Sequence, residues 1–317
     1  MAPLPAPATF EALGLSHAAL ASVAHAGFTA PTPIQALAIP PALAGRDVVG
    51  CAATGTGKTL AFALPMIERL ASRPHSHGAR ALILAPTREL ALQIAAEVDR
   101  FGRGRGFRST AIIGGVALGP QAQELRRGGG VIVATPGRLV DHLERGSVRL
   151  GEVELLVLDE ADRMLDMGFA PQLRRILAAL PPRDRKPRQT LLFSATMAGE
   201  VAEFARGHLV DPVRVSANPS GTTASRAEQR VYLVPQTQKT ALLLALLSED
   251  ADSTLVFTRT KRRADRLARA LEGGGHKVAR IHADRSQSQR KQALAGFSRG
   301  AYRVLVATDI AARGLDV

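Results

Sequence analysis

Short apolar runs of four to six residues recur along the chain at positions 48–51, 81–85, 110–113, 131–134, 155–158 and 190–193. Between them lie stretches such as 60–70, 88–101 and 172–180, whose apolar residues fall three and four positions apart. The first pattern predicts strands and the second predicts amphipathic helices. Continuous apolar strands alternating with helices imply a parallel sheet covered on both faces, an α/β fold. Over 216–228 the rhythm breaks: the segment is rich in Ser, Thr, Asn and Gly and predicts a linker. Runs at 231–234, 255–257, 278–281 and 304–307 then resume it. The pattern therefore predicts two α/β lobes, 1–215 and 229–317, joined by a polar hinge.

Composition narrows this further. With 317 residues and 46 % apolar content, the chain has enough material for two cores, which excludes disorder throughout. Its longest aliphatic run, 242–247, is far shorter than the roughly 20 residues that span a bilayer. The Pro- and Ala-rich N-terminus lacks the basic region of a secretory signal. Cys51 alone can build neither an internal disulfide nor a Cys-rich zinc site. A reducing, cytoplasmic setting without membrane contact is the expectation. Residues 1–215 carry 24 basic and 19 acidic side chains, net +5, and the remaining 102 carry 17 and 9, net +8. Such a surface attracts polyanions. An Arg-rich, Lys-poor composition is equally what a GC-rich coding sequence produces, so charge alone leaves nucleic acid undecided.

In open parallel sheets ligands sit beyond the carboxyl ends of the strands, and there this sequence becomes unusual. The run at 48–51 leads into Ala53-Thr54-Gly55-Thr56-Gly57-Lys58-Thr59 and then a predicted helix. Two glycines let successive N–H groups curl around phosphate oxygens, and the helix N-terminus adds its positive end. Lys58 would reach the β- and γ-phosphates, and the Thr59 hydroxyl would ligate Mg²⁺. Ala52 stands where such loops usually open with Gly. The run at 155–158 ends in Asp159-Glu160-Ala161-Asp162. Asp159 is placed to hold the Mg²⁺ shell, and Glu160 to orient and deprotonate an attacking water. Together the two loops predict a nucleoside triphosphatase. Ser194 and Thr196, after the run at 190–193, either bridge this acidic cluster to the second lobe or are ordinary turn residues.

The order of these segments resembles the DEAD-box ATP-dependent RNA helicases, with a bacterial, RhlE-like wording over 157–169. The resemblance runs from Phe10 to Val317 and implies two RecA-like lobes. Gly27-Phe28-Thr29-Ala30-Pro31-Thr32-Pro33-Ile34-Gln35 is similar to the Q motif, which implies ATP, with Phe28 stacking on adenine and Gln35 pairing its edge. Phe28 as plain core is the competing reading. Pro86-Thr87-Arg88-Glu89-Leu90, Gly114-Gly115 and Thr135-Pro136-Gly137-Arg138 resemble motif Ia, the GG element and motif Ib, which implies an RNA track. Arg for phosphate, hydroxyls, and glycine for close backbone approach suit that role. In the second lobe, Thr258 and Arg259 lie in a stretch resembling motif IV, and Arg290 closes a QxxR element. Ala307-Thr308-Asp309-Ile310-Ala311-Ala312-Arg313-Gly314 resembles motif V; by analogy Thr308 and Gly314 approach RNA and Asp309 faces nucleotide.

Three departures stand out. Gly129-Gly130 replaces an apolar-plus-Asp pair, predicting a flexible lead-in to the run at 131–134. Ala283 stands where the middle Gly of His-Gly-Asp is usual. The sequence stops at Val317, before motif VI and its arginine finger, which leaves the second lobe incomplete and makes the run at 304–307 an expected open edge with an uncovered apolar face. The resemblance implies an enzyme that hydrolyses ATP to remodel short RNA duplexes through backbone contacts, RNA and ATP together pulling the lobes closed. Ribosome-assembly or RNA-decay proteins would be its company. The alternatives are an ATP-dependent RNA-binding module without turnover, and another phosphate-loop NTPase whose basic charge is incidental.

Overall fold

The computed structural model describes residues 9–53, 55–72, 78–184, 187–197, 199–217, 228, 230–249 and 251–308. It divides into two units, Met1–Thr222 and Thr223–Val317.

The first unit contains strands β1 (Val48–Cys51), β2 (Ala81–Leu84), β3 (Arg108–Ile112), β4 (Gly130–Ala134), β5 (Leu155–Leu158), β6 (Gln189–Ser194) and β7 (Val213–Ser216). Its helices are α1 (His17–His25), α2 (Pro33–Leu43), α3 (Lys58–Ala71), α4 (Arg88–Gly102), α5 (Leu118–Arg127), α6 (Pro136–Glu144), α7 (Ala161–Asp166), α8 (Ala170–Ala178) and α9 (Glu200–His208). All seven strands pair in parallel in the order β3-β4-β2-β5-β6-β1-β7. Successive side chains of a strand face opposite ways, so each strand feeds two cores. Leu155 and Val157 of β5 pack with α2, α3 and α4, whereas Leu156 and Leu158 pack with α6, α7 and α8. At the centre of the first core the rings of Phe62 and Phe193 lie 5.6 Å apart. A Cβ on Gly50 would stand 2.6 Å from Phe193, so β1 needs glycine there to admit that ring.

The two ends of this sheet differ in how their polar groups are satisfied. At the amino ends, Asp47 accepts bonds from both terminal nitrogens of Arg183 (3.0 Å each), from Thr190 N (2.7 Å) and from Val210 N (2.8 Å). Arg80 and Glu154 form a mostly buried ion pair there at 2.5 Å. At the carboxyl ends, by contrast, a buried charge is left without a hydrogen-bond partner among the described residues.

Several expectations need correcting. The rhythm of the first lobe does not stop at 215: β7 pairs with β1 through Ser216, and Ala217 N donates to Cys51 O at 3.0 Å. Its half-buried, alternating Val-Arg-Val-Ser pattern is too weak an apolar run to register as a strand in the sequence. Gly129-Gly130 is a tight lead-in, not a loose one. A Cβ on Gly129 would lie 2.6 Å from the Arg108 carbonyl, and Gly130 has φ +83°.

The second unit holds β8 (Thr254–Thr258), β9 (Val278–Ile281) and β10 (Val304–Thr308), with helices α10 (Lys239–Glu249), α11 (Lys261–Gly273) and α12 (Gln287–Ser298). Its parallel strands run β8-β10-β9. The run expected to be an open edge is therefore the central strand, buried at every residue, because the two crossovers set β10 between its predecessors. The apolar run at 231–234 forms no strand, and Val231 and Leu233 are 88 % and 96 % exposed. Among the described residues no strand pairs with this run, and strand propensity alone does not make a strand. No helix among the described residues is long and apolar enough to cross a membrane.

Candidate active site

Strands β1, β6 and β5 are consecutive in the sheet, so the loops leaving their carboxyl ends emerge side by side. The first of these follows β1. Ala52 is fully buried, its N–H bonded to Ser194 O at 3.0 Å, and its φ is not positive, so alanine carries no backbone strain where glycine is usual. The Thr56 hydroxyl donates to Ala53 O at 2.7 Å, Gly55 and Gly57 adopt φ +76° and +88°, and Gly57 caps α3. Lys58, the first residue of α3, is only 6 % exposed, and its Nζ has no hydrogen-bond partner among the described residues. An ammonium buried without a partner costs several kcal/mol and fits a site built for an anion. Half-buried Thr59 follows on the same turn. Thr54 lies outside the described residues.

Gln35 braces this loop from α2. Its Oε1 accepts from Thr32 N at 2.9 Å and its Nε2 donates to Gly57 O at 3.1 Å. Each end of the amide thus makes one bond to protein, and a second N–H and a second lone pair remain with which to address an adenine edge. Phe28 is 38 % exposed rather than core; its ring lies 6.5 Å from Phe101, with the Arg100 guanidinium 5.9 Å above it.

The second loop follows β5. Asp159 is 2 % exposed and its N–H bonds Leu84 O at 2.9 Å. Burial pushes its carboxyl up to about 6, the Lys58 ammonium opposes that rise, and the Glu160 charge adds to it. Glu160 sits at φ +51°, a left-handed conformation that side chains rarely adopt, and pairs with Arg163. Asp162 ties this loop to the end of β6: it accepts from Ala195 N (3.1 Å), Thr196 N (2.9 Å) and the Thr196 hydroxyl (3.1 Å), while its own N–H reaches the Ser194 hydroxyl at 3.3 Å. Both hydroxyls thus engage the acidic cluster. The sequence reading assigns no role to Asp162 or Arg163, although the first stands in the same acidic tetrapeptide.

Farther along the sheet the ends of β2, β3 and β4 bring a second group together. Thr87 caps α4, its hydroxyl accepting from Leu90 N at 3.3 Å, and Pro86 precedes it. The Arg88 guanidinium lies against Gly114 and Gly115, where a Cβ on Gly115 would overlap it outright. Thr135 caps α6, with Pro136 and Gly137 as its first residues. Arg138 donates to Val116 O at 2.7 Å, joining α6 to the glycine loop. Gln121 holds the base of that loop from α5, bonding Ile113 N at 2.9 Å and Ile113 O at 3.2 Å. No pattern in the sequence marks Gln121.

In the second unit Thr258 is buried at the end of β8, its hydroxyl near Thr260 O (3.3 Å), and Arg259 beside it is exposed. Arg290 is buried on the first turn of α12, and Thr308 ends β10. Asp309 and Gly314 lie outside the described residues. Among those described, no group of three His, Cys, Asp or Glu side chains could enclose a metal.

Comparison with known proteins gives this geometry its setting. The DEAD/DEAH box helicase family model matches residues 32–204, and the helicase conserved C-terminal domain model matches 238–317. The chain is 47 % identical to DEAD-box ATP-dependent RNA helicase 30 of Arabidopsis thaliana over 304 residues, which cover 94 % of this chain and 51 % of that protein. It is 45 % identical to the ATP-dependent RNA helicase RhlB of Xanthomonas axonopodis over 98 % of this chain and 55 % of the relative. The chain thus spans about half the length of the curated relatives it matches. Among solved structures, a DEAD box protein from Methanococcus jannaschii is 38 % identical with a TM-score of 0.62, covering 98 % of this chain and 83 % of its own. Dbp5 of S. cerevisiae, solved with Gle1, is 30 % identical with a TM-score of 0.75, covering 99 % and 78 %. The RecA-like character expected of the two parallel sheets follows from these neighbours. The first family model spans the loops after β1, β5 and β6 in one continuous match, and the chain belongs to the DEAD/DEAH box helicase family.

Proposed function

We propose that this chain hydrolyses ATP under the control of bound RNA and uses the cycle to remodel short RNA duplexes. The observation that carries the reading is the buried Lys58 ammonium at the start of α3, which has no hydrogen-bond partner among the described residues and is coupled electrostatically to the buried Asp159 carboxyl. A buried ammonium that lacks a hydrogen-bond acceptor among the described residues, beside a buried carboxyl whose pKa is raised, marks a candidate site for a ligand that supplies the missing acceptors. In the proposed roles, Lys58 and the Gly55–Gly57 amides hold the phosphates, and Phe28 and Gln35 hold the base. Thr59 and Asp159 would hold Mg²⁺, which when bound supplies charge neutralisation at the transferring phosphoryl group. Two protein ligands suit this ion, which keeps several of its waters.

Glu160 orients and deprotonates the attacking water once its carboxylate turns from Arg163. Asp162, through Ser194 and Thr196, fixes the end of β6 against that loop, so a change at one is felt at the other. The cluster of Thr87, Arg88, the two glycines and Arg138 holds the hydroxyl, guanidinium and backbone groups that read RNA through phosphate and 2′-OH, and in the proposed role Arg88 turns from the glycines to meet it. No base edge is addressed, so no sequence preference follows. The relatives matched across nearly the whole chain are named ATP-dependent RNA helicases, which does not favour the reading of a clamp without turnover.

The test is ATP hydrolysis by the 317-residue chain with and without single-stranded RNA. RNA-stimulated turnover that disappears in Lys58→Ala and in Glu160→Gln supports the proposal. Turnover indifferent to RNA, or retained in either variant, overturns it.

A further inference from the structure

Helix α11 carries five basic residues, and its pairing pattern sorts them unevenly. Its buried side, Ala264, Ala268 and Leu271, faces the sheet. Its two carboxylates turn to one flank, where Arg280 of β9 bridges them, 3.4 Å from Asp265 and 3.3 Å from Glu272, and His282 adds a contact to Asp265 at 3.1 Å. The first helical residue, Lys261, is neutralised by Asp284 at 2.9 Å. Arg263 is half-buried. Arg262, Arg266 and Arg269 remain. They follow each other at four- and three-residue spacing, so they form one line on the helix. All three are exposed, and none has a hydrogen bond or ion pair among the described residues.

Three like charges in such a line repel one another and weaken the helix. The acids that could have relieved them are committed to Arg280. The line begins on the first turn of α11, three residues after exposed Arg259 at the end of β8, and extends about 10 Å along the helix. It thus continues, down an exposed face of the second unit, from the strand end that carries Thr258 and Arg259.

We propose that the Arg262–Arg266–Arg269 line is an accessory docking surface for the sugar-phosphate backbone of RNA flanking the segment bound at the strand ends. This rests on the reading of the chain as an RNA-dependent ATPase. A polyanion is the favoured occupant because three unneutralised guanidinium groups with no apolar surface between them offer phosphate contacts and little else. The surface adds affinity and salt dependence without sequence preference, and it takes no part in hydrolysis.

The experiment measures binding of a fluorescent long oligouridylate to the 317-residue chain, from about 50 to 200 mM salt, alongside ATP hydrolysis at saturating RNA. Arg262→Glu/Arg266→Glu/Arg269→Glu is compared with Arg145→Glu/Arg174→Glu/Arg206→Glu, an equal charge change at exposed arginines of α6, α8 and α9 or their ends. The expected result is roughly tenfold weaker binding at low salt in the first variant and a log–log salt slope shallower by about 2, with the second variant close to wild type. Unchanged affinity and slope in the first variant, or the same loss in both, overturns the docking surface and leaves the ATPase reading untouched. Absence of RNA binding and of RNA-stimulated hydrolysis in the wild type would overturn both. Thermal melting of each variant separates lost binding from lost folding: loss of binding in a variant that melts like wild type supports the proposal, and loss explained by unfolding at the assay temperature counts against it.

Discussion

Asp159 shows what the site costs the free protein. Its carboxyl is raised from 3.8 to about 6 chiefly by burial. A raised acid stabilises the fold most when protonated, so this contribution is present below about 4 and is lost as pH climbs through 6. At neutral pH the charged form is kept at a cost of roughly 3 kcal/mol. Two outcomes follow. In ligand-free protein, Asp159→Asn should melt at or above the wild-type temperature at pH 7 while ATP hydrolysis is lost; a lower melting temperature would mean the carboxylate stabilises the fold. Binding of Mg²⁺ and nucleotide requires the carboxylate, so affinity should rise with pH up to about 6 and level off above it, a profile that titration calorimetry in Asp159→Asn should flatten. The residue scale is also where the sequence says most. Lys58 and Asp159 are legible because a glycine-flanked lysine and an acidic tetrapeptide each follow an apolar strand. Gln121 is not, since a glutamine bonding one loop residue from both sides leaves no local pattern.

At the scale of elements, the join between α2 and the phosphate loop is the sensitive one. Gln35 caps α2 through Thr32 N and holds Gly57 O with the same amide. Gln35→Ala should therefore lower stability by about 1–2 kcal/mol, from the lost cap and the lost bond to the Gly57 carbonyl, which keeps the Ala61 N–H at 3.3 Å, and weaken nucleotide binding as well. Urea denaturation checks the first effect; a variant as stable as wild type would remove Gln35 from the brace. Gly57→Ala should be worse on both counts, because φ +88° and an atom 2.5 Å from Gln35 Nε2 leave no room for a methyl. Elements with a continuous apolar run, β1 and β5, lie where their sequences put them to the residue. The misreadings share a cause: pairing is non-local. The run at 231–234 has strand composition but no neighbour among the described residues, β7 has a neighbour but little composition, and the central place of β10 is fixed by crossovers that no strand sequence encodes.

For the whole molecule, the two units differ in how much they bury. The first closes two cores over seven strands, whereas the second covers three strands and leaves Phe257 as well as Val231 and Leu233 exposed. A calorimetric scan should accordingly show two transitions, the lower from the second unit. Saturating nucleotide should raise the upper transition, since a ligand present at 100 times its dissociation constant adds about 2.7 kcal/mol to the unit that binds it. A single transition, or one in which nucleotide raises only the lower step, would contradict this division.

The central claim is that the Lys58 ammonium, buried and without a hydrogen-bond partner among the described residues, is kept there for a phosphate. It is tested most directly by replacing it with an apolar side chain of similar length and titrating ATP with Mg²⁺ into both proteins. The account predicts that Lys58→Met binds at least ~30-fold more weakly, the minimum for truncating one partner of a buried charge pair, while the ligand-free variant melts no lower than wild type. Undiminished binding, or a variant that simply unfolds, would show that the lysine serves the fold and not the nucleotide.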